Sequence, residues 1–383
     1  MITASILTGA QPASSSSFDK MFSSMPLSTS LSSSSSCSSS DSEVEVTSQT
    51  SSARTSISDE PLPGSSSQDS PIPTNPYTDL IRRCPTPKDM AKAYETHRRN
   101  RNAEKLRQMS HLKTVSPDSI LAGLVLHDLP QESDPRNNIT IWSRPTVRVM
   151  DLIAIIQQQL IDTLHKTAPS HALQKQPPVK PNDPANKGPL WLMPRECLHL
   201  SVLEVTHSAP PDVIDSQIKQ LKPYLSEILT SRDNAPILVK PLVCFDSAAF
   251  ALTFAPLDSS LQKEYGAHSE DYTYTHYRAH LYNAINKAQV YCAARYEVPS
   301  AHVTIARFIE EVSPNVVDAL LETIQNINTW LEDVYSNPES FSWQVGSERG
   351  TECRCGRIWY GGGWTEATGE TVEELKNEDS WQS

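Results

Sequence analysis

This chain has no long apolar run. No stretch of its 383 residues approaches about eighteen uninterrupted apolar side chains, so nothing in it reads as a membrane-spanning helix. Met1 to Lys20 lacks both the apolar block of a secretory signal and the Arg-rich amphipathic character of a transit peptide. Positive charge is short as well. The 33 Lys and Arg against 45 Asp and Glu leave a formal net charge of −12, which argues against a protein that coats nucleic acid generally but allows a local basic cleft for an anion. Cysteine is sparse and odd in number. Cys37, Cys84, Cys197, Cys244, Cys292, Cys353 and Cys355 are mostly scattered and, without a secretory signal, read as free thiols in a reducing compartment, the cytoplasm or nucleus. Cys353-Arg354-Cys355 has no second pair to complete a zinc site, so alternate residues of a strand are the simpler reading, and no metal or cofactor is expected.

Residues 1–75 are rich in Ser, with Pro and Thr and few aromatics, and include the unbroken run Ser32 to Ser36. Such a segment cannot bury enough apolar surface to offset its ordering entropy, and a disordered tail is expected. Thr86-Pro87-Lys88-Asp89 then combines an N-cap, a first-turn proline and an acid at the third position, so a helix should start there and run to about His111. With Arg98, Arg99, Arg101, Lys105 and Arg107 it makes 76–137 a basic helical extension and linker. A solvated face interspersed with Glu95 and Glu104 is a plainer reading of it than an RNA-backbone patch. A folded domain is expected over 138–364, and a solvated acidic tail over 365–383 that includes Glu366, Glu370, Glu373 and Glu374.

Inside 138–364 an order of elements repeats. Ile139 to Trp142 suggests a strand, and Val149, Leu152, Ile153, Ile156, Leu160 and Leu164 recur at helical spacing. After the Pro-rich loop Lys166 to Pro189 comes a strand with His199, a helix with Val213, Ile214, Ile218, Leu221, Leu225 and Ile228, and strands near Ile237 to Val243 and Ala249 to Phe254. The second half gives a helix near His276 to Arg295, a strand with His302, a helix with Val317, Leu320, Leu321, Ile324 and Trp330, and strands near Phe341 to Val345 and Cys353 to Tyr360. Each half reads helix, histidine strand, helix, strand, strand, a repeat of pattern and not of letters. The expected architecture is α+β with a pseudo-twofold axis: lobes of about 138–256 and 257–364, two antiparallel sheets flanked by helices, and the histidine strands facing across a cleft.

Leu198-His199-Leu200-Ser201-Val202 and Ala301-His302-Val303-Thr304-Ile305 share one design, a histidine and a hydroxyl residue two apart within an apolar run. On a strand His199 and Ser201 point one way and their apolar neighbours the other; His302 and Thr304 do the same. Eleven histidines give roughly two such matches by chance, so the bare pattern has little force. His165-Lys166-Thr167 is a third match, but it ends a helix and runs into Ala168-Pro169, and reads as a decoy. Matching slots in two halves are what set the other two apart.

In these residues the chain resembles the 2H phosphoesterase superfamily, bilobal proteins of the RNA ligase/cyclic nucleotide phosphodiesterase fold whose signature is two His-x-[Ser/Thr] motifs flanked by apolar residues. His302-Val303-Thr304-Ile305-Ala306-Arg307 looks like the extended motif of bacterial RNA 2′,3′-cyclic phosphodiesterases. Trp191-Leu192-Met193-Pro194, Pro299-Ser300-Ala301 and Trp359-Tyr360-Gly361-Gly362-Gly363 are similar to an uncharacterised fungal branch. The resemblance covers about 138–364. It implies a metal-independent phosphodiesterase acting on 2′,3′-cyclic phosphate ends of RNA or nucleotides, with His199 and His302 catalytic. The alternative is a module that binds such an end without turnover.

The chemistry is consistent with that. Opening a cyclic phosphate needs a base for water and an acid for the leaving ribose oxygen, and histidine can be either near neutrality. Ser201 and Thr304 can donate to the non-bridging oxygens. Which histidine is the base is not readable from the sequence. Arg307 is a candidate phosphate ligand, but strict alternation sets it on the face opposite Thr304, where a surface ion pair is the plainer reading. Tyr360 and Trp359 end the last strand, where a ring could stack on a nucleobase; core packing is the plainer reading of Trp359. His207 lies roughly 26 Å along an ideal strand from His199, too far to share an ion, and reads as a surface histidine.

Overall fold

Thr86 caps the first long helix as its sequence requires: its side chain accepts from the Asp89 N–H at 3.2 Å, and the helix ends at Lys113, which takes a left-handed conformation. The computed structural model describes residues 74–167, 188–229, 235–258, 271–294, 299–348 and 350–370. The expected disordered tail therefore lies outside the described residues apart from its last two, Thr74 and Asn75, and so do most of the Pro-rich loop and the acidic end beyond residue 370. The described helices are α1 Thr78–Arg83, α2 Pro87–Leu112, α3 Ser119–Leu126, α4 Val147–Thr167, α5 Pro211–Leu221, α6 Leu225–Leu229, α7 Tyr274–Lys287 and α8 Pro314–Tyr335. The strands are β1 Asn138–Ser143, β2 Leu190–Leu192, β3 Leu200–Thr206, β4 Ile237–Phe245, β5 Ala249–Pro256, β6 His302–Phe308, β7 Ser342–Gln344, β8 Thr351–Gly356 and β9 Trp364–Thr368.

All six apolar residues that mark α4 in the sequence are buried, as are Val317, Leu320, Leu321 and Ile324 of α8. The two helices pack on each other, and α8 lies against β4. The helix expected through Val213 to Ile228 is broken at Lys222–Tyr224, where Pro223 has no N–H to continue the ladder.

The fold is α+β, but the strands form one open antiparallel sheet and not the two expected. The order is β7-β4-β5-β6-β3-β1-β8-β9, with β2 also on β6. Its two half-sheets do not follow the two halves of the chain. The β4–β5 hairpin of the first half pairs with β6 of the second, and β1, with β3 on its other edge, pairs with β8 of the second. Between β3 and β6 the ladder is one residue pair, Leu200 opposite Val303. The sheet is continuous there by the thinnest connection available.

Two segments assigned to the periphery belong to the fold. The basic helix α2 lies against β5 and buries Met90, Tyr94 and Met109 in the main core. Its Arg98 is only 5% exposed and donates to the Lys240 and Thr253 carbonyls at 2.6 and 3.3 Å while paired with Glu95. Asn75, further upstream, donates to the Ala279 carbonyl on α7. At the other end Trp364–Thr368 becomes edge strand β9 on β8, where a solvated tail was expected. All six described cysteines are free and buried. Cys353 and Cys355 are alternate residues of β8 with their sulfurs 4.0 Å apart. Among the described residues no helix is long and apolar enough to cross a membrane.

Candidate active site

The single pair between β3 and β6 organises the site. Leu200 and Val303 are the central residues of the two motifs, so His199 and Ser201 flank one partner and His302 and Thr304 the other, on one face of the sheet. All four side chains line a small cavity of ≈ 50 Å³, together with Thr140, Trp142, Glu204, Arg307 and Trp359. The structure thus brings together both expected catalytic histidines, both hydroxyls and Arg307.

Arg307 reaches this face through a bulge. β6 pairs Thr304 with Ala251 and Ala306 with Phe250, so Ile305 is an extra residue in the ladder. That insertion reverses the alternation, and Arg307 returns to the side of Thr304 and His302, correcting the opposite-face expectation. β3 repeats the device. Trp142 pairs with Ser201 and Ile141 with Leu203, which makes Val202 the extra residue; a second bulge at Val205 follows, and Glu204 falls on the Ser201 side, opposite Thr140. Each strand therefore presents histidine, hydroxyl and a charge, acidic at Glu204 and basic at Arg307. Both inserted carbonyls are claimed by side chains of the helix from the other half: Arg278 of α7 donates to Val202 at 2.9 Å, and Gln157 of α4 donates to Ile305 at 2.8 Å. The sequence did hold a signal, an unbroken apolar pair before the charge in both Val202-Leu203-Glu204 and Ile305-Ala306-Arg307.

His199 is fixed from two directions. Its Nδ1–H donates to the Cys197 carbonyl at 2.7 Å, so the neutral ring keeps its lone pair on Nε2. Trp142, itself 1% exposed, stacks on it with centroids 3.5 Å apart and planes within 6°. Arg144 and Arg354 sit over the same indole at 5.1 and 5.0 Å. Burial, aided by the charges of Arg144, His302 and Arg354 and opposed by the carbonyl bond, holds the His199 pKa down at about 3. His302 has its Nδ1 3.0 Å from Ser300 Oγ. Burial first, then Arg101, Arg278 and Arg307, lowers it to about 4.

Both rings are consequently neutral in the free protein at pH 7, and this has a stability consequence. Between an ordinary histidine value of 6.5 and these folded values the unfolded chain binds more protons, so stability rises with pH. The contribution of both rings is complete above about pH 6.5 and drains away as pH falls toward 4 and then 3. Denaturant unfolding from pH 7 to 4 should show this loss, and a His199→Phe/His302→Phe double variant should show a flatter profile.

Arg307 pairs with Asp118 at 3.4 Å, its Nε has no hydrogen-bond partner, and its guanidinium lies 5.6 Å from the Trp359 ring. Tyr360 does not line the cavity, contrary to its assignment as a substrate ligand. It is 6% exposed, its hydroxyl donates to Asp118 and accepts from Arg136 at 2.7 Å, and burial raises its pKa. The residue at the cavity wall is Trp359, half-buried, with Arg136 stacked 4.6 Å over its ring. The glycines after it explain the exchange. Gly361 and Gly363 have φ of +95° and +70°, and a Cβ at either would collide with Cys197 Sγ or the Cys355 carbonyl, so the chain turns tightly here and drives Tyr360 inward. His207 is no isolated surface group: its Nδ1 is 3.1 Å from Glu204 and its ring meets the Trp359 ring edge-on. Among the described residues no three His, Cys, Asp or Glu side chains gather as a metal site.

No family model matches this chain, and no curated protein does. A crystal structure of a conserved protein of unknown function from Agrobacterium tumefaciens is similar at 11% identity and a TM-score of 0.36, over 58% of this chain and 81% of that one.

Proposed function

We propose that this chain is a 2H phosphoesterase-like hydrolase, a metal-independent phosphodiesterase that opens 2′,3′-cyclic phosphate, or a related phosphodiester, at the ends of RNA or nucleotides. The observation that carries this reading is the Leu200–Val303 pair, which sets two His-x-[Ser/Thr] motifs side by side around one small cavity. His199 and His302 act as base and acid. One imidazole takes a proton from water as the water oxygen bonds to phosphorus. The bond from phosphorus to the ribose 2′ or 3′ oxygen breaks, and that oxygen receives a proton from the other ring. Ser201 and Thr304 donate to the non-bridging oxygens, and Arg307 supplies fixed positive charge.

Because both rings are neutral when the site is empty, the acid must acquire its proton with the substrate. An arriving phosphate anion favours the imidazolium and raises its pKa. Binding of a nucleotide monophosphate at pH 7 should therefore take up a proton, visible as a dependence of the calorimetric enthalpy on buffer ionisation. Replacing Arg307 with methionine should raise KM and the inhibition constant of inorganic phosphate by about tenfold or more, with a smaller effect on kcat.

Incubating the full-length protein with cyclic-phosphate oligonucleotides and mononucleotides in excess chelator tests the reading. A phosphomonoester product is the expected result. Tight binding of the monoester with the cyclic end left intact would instead make the cleft a binding module for nucleotide or RNA ends, and loss of turnover to the chelator would overturn the metal-free mechanism.

A further inference from the structure

The candidate reaction cavity, at ≈ 50 Å³, is small beside a whole nucleotide, so part of one would extend beyond it. A second cavity of ≈ 260 Å³ adjoins it and shares His302, Thr304, Arg307 and Trp359 with it. Its far wall is the basic helix α2, which contributes Tyr94, His97, Arg98 and Arg101. Resting on the phosphodiesterase reading, we propose that this second cavity holds the base of the nucleotide whose phosphate is opened, and that α2 is the wall of a base pocket and not a track for an RNA backbone.

Three observations support it. The lining combines aromatic surface, Phe245, Phe254 and Trp359, with a polar edge, as a flat heteroaromatic ring requires. That edge is the Arg101–Asp246 pair, at 2.9 Å and with both side chains partly exposed, which offers a guanidinium donor and a carboxylate acceptor side by side. The Asp246 carboxylate is held in place by the Ala248 and Ala249 N–H groups at 2.9 and 3.0 Å. Finally, three of the four α2 guanidinium groups that an RNA backbone would use are already engaged, Arg107 being the exception. Arg98 is buried against carbonyls, Arg99 pairs with Glu332 at 2.7 Å, and Arg101 pairs with Asp246. The substrate class that fits is a single 2′,3′-cyclic nucleotide, or a chain whose terminal nucleotide alone is read.

The test is the affinity of the full-length protein for the four nucleoside 3′-monophosphates, for ribose 3-phosphate and for inorganic phosphate, measured by calorimetry without turnover. A base should improve binding by about tenfold or more over ribose 3-phosphate. Ala251→Phe, on the β5 side of the cavity, should remove that gain and leave inorganic phosphate within about twofold. His97→Trp fills the same space from α2 and gives a second route should the first variant not fold. Equal affinity with and without a base, or equal loss for nucleotide and phosphate in both variants, overturns the proposal. The two readings fail separately: base-dependent binding without hydrolysis keeps the pocket and removes the catalysis, and equal hydrolysis of base-free ribose cyclic phosphate does the reverse.

Discussion

Alanine in place of His199 or His302 is expected to lower kcat on a 2′,3′-cyclic nucleotide by about 10²–10⁴-fold for each single substitution, with KM changed much less. The reason is the division of labour. In the proposed mechanism one ring activates water and the other protonates the leaving oxygen, and the transition state needs both transfers. The double variant should lose little more than the worse single, because groups that act as a unit are not additive. Single-turnover assays on defined cyclic-phosphate ends, with circular dichroism to check folding, would measure this. Turnover that survives in the double variant would remove the proposed mechanism outright. A loss confined to KM would assign the rings to binding.

Trp142→Ala should give the largest loss of stability, about 3–5 kcal/mol by denaturant unfolding, because a fully buried indole leaves a cavity the sheet cannot refill. The indole Nε1 is buried without a hydrogen-bond partner, so the cost is packing and not a broken bond. Trp142→Phe retains a stacking surface against His199 and should cost much less. The alanine variant also admits water beside His199. Its pKa should then climb from about 3 back toward 6.5, which an NMR titration of the ring can follow. A stability loss with no change in that titration would mean that burial by Trp142 is not what holds the ring neutral.

Local order was legible in the sequence because its causes are local. The cap at Thr86, the six-residue apolar stripe of α4 and the alternation of Leu198 to Val202 and Ala301 to Ile305 each depend on a few neighbouring residues and a fixed period. The number of sheets was not, since pairing depends on which strand edges meet. β6 lies between β5 and β3, which both precede it by far in the chain, and so one sheet replaced two. The role of α2 was hidden for a similar reason. Its charges suggested a solvated face, yet Arg98 finds its carbonyl partners on β4 and β5.

By itself, then, the sequence determined the long helices, most of the strands and the four motif side chains His199, Ser201, His302 and Thr304, but not α1, α3, β2 or β9. Tertiary structure decided what stands around them. It brought the motifs to the Leu200–Val303 pair, and it used the Val202 and Ile305 insertions to turn Glu204 and Arg307 to the same face. It also exchanged Tyr360 for Trp359 at the cavity wall. Those outcomes depend on register against a partner strand and on contacts made across the fold, which no periodicity within a single segment encodes.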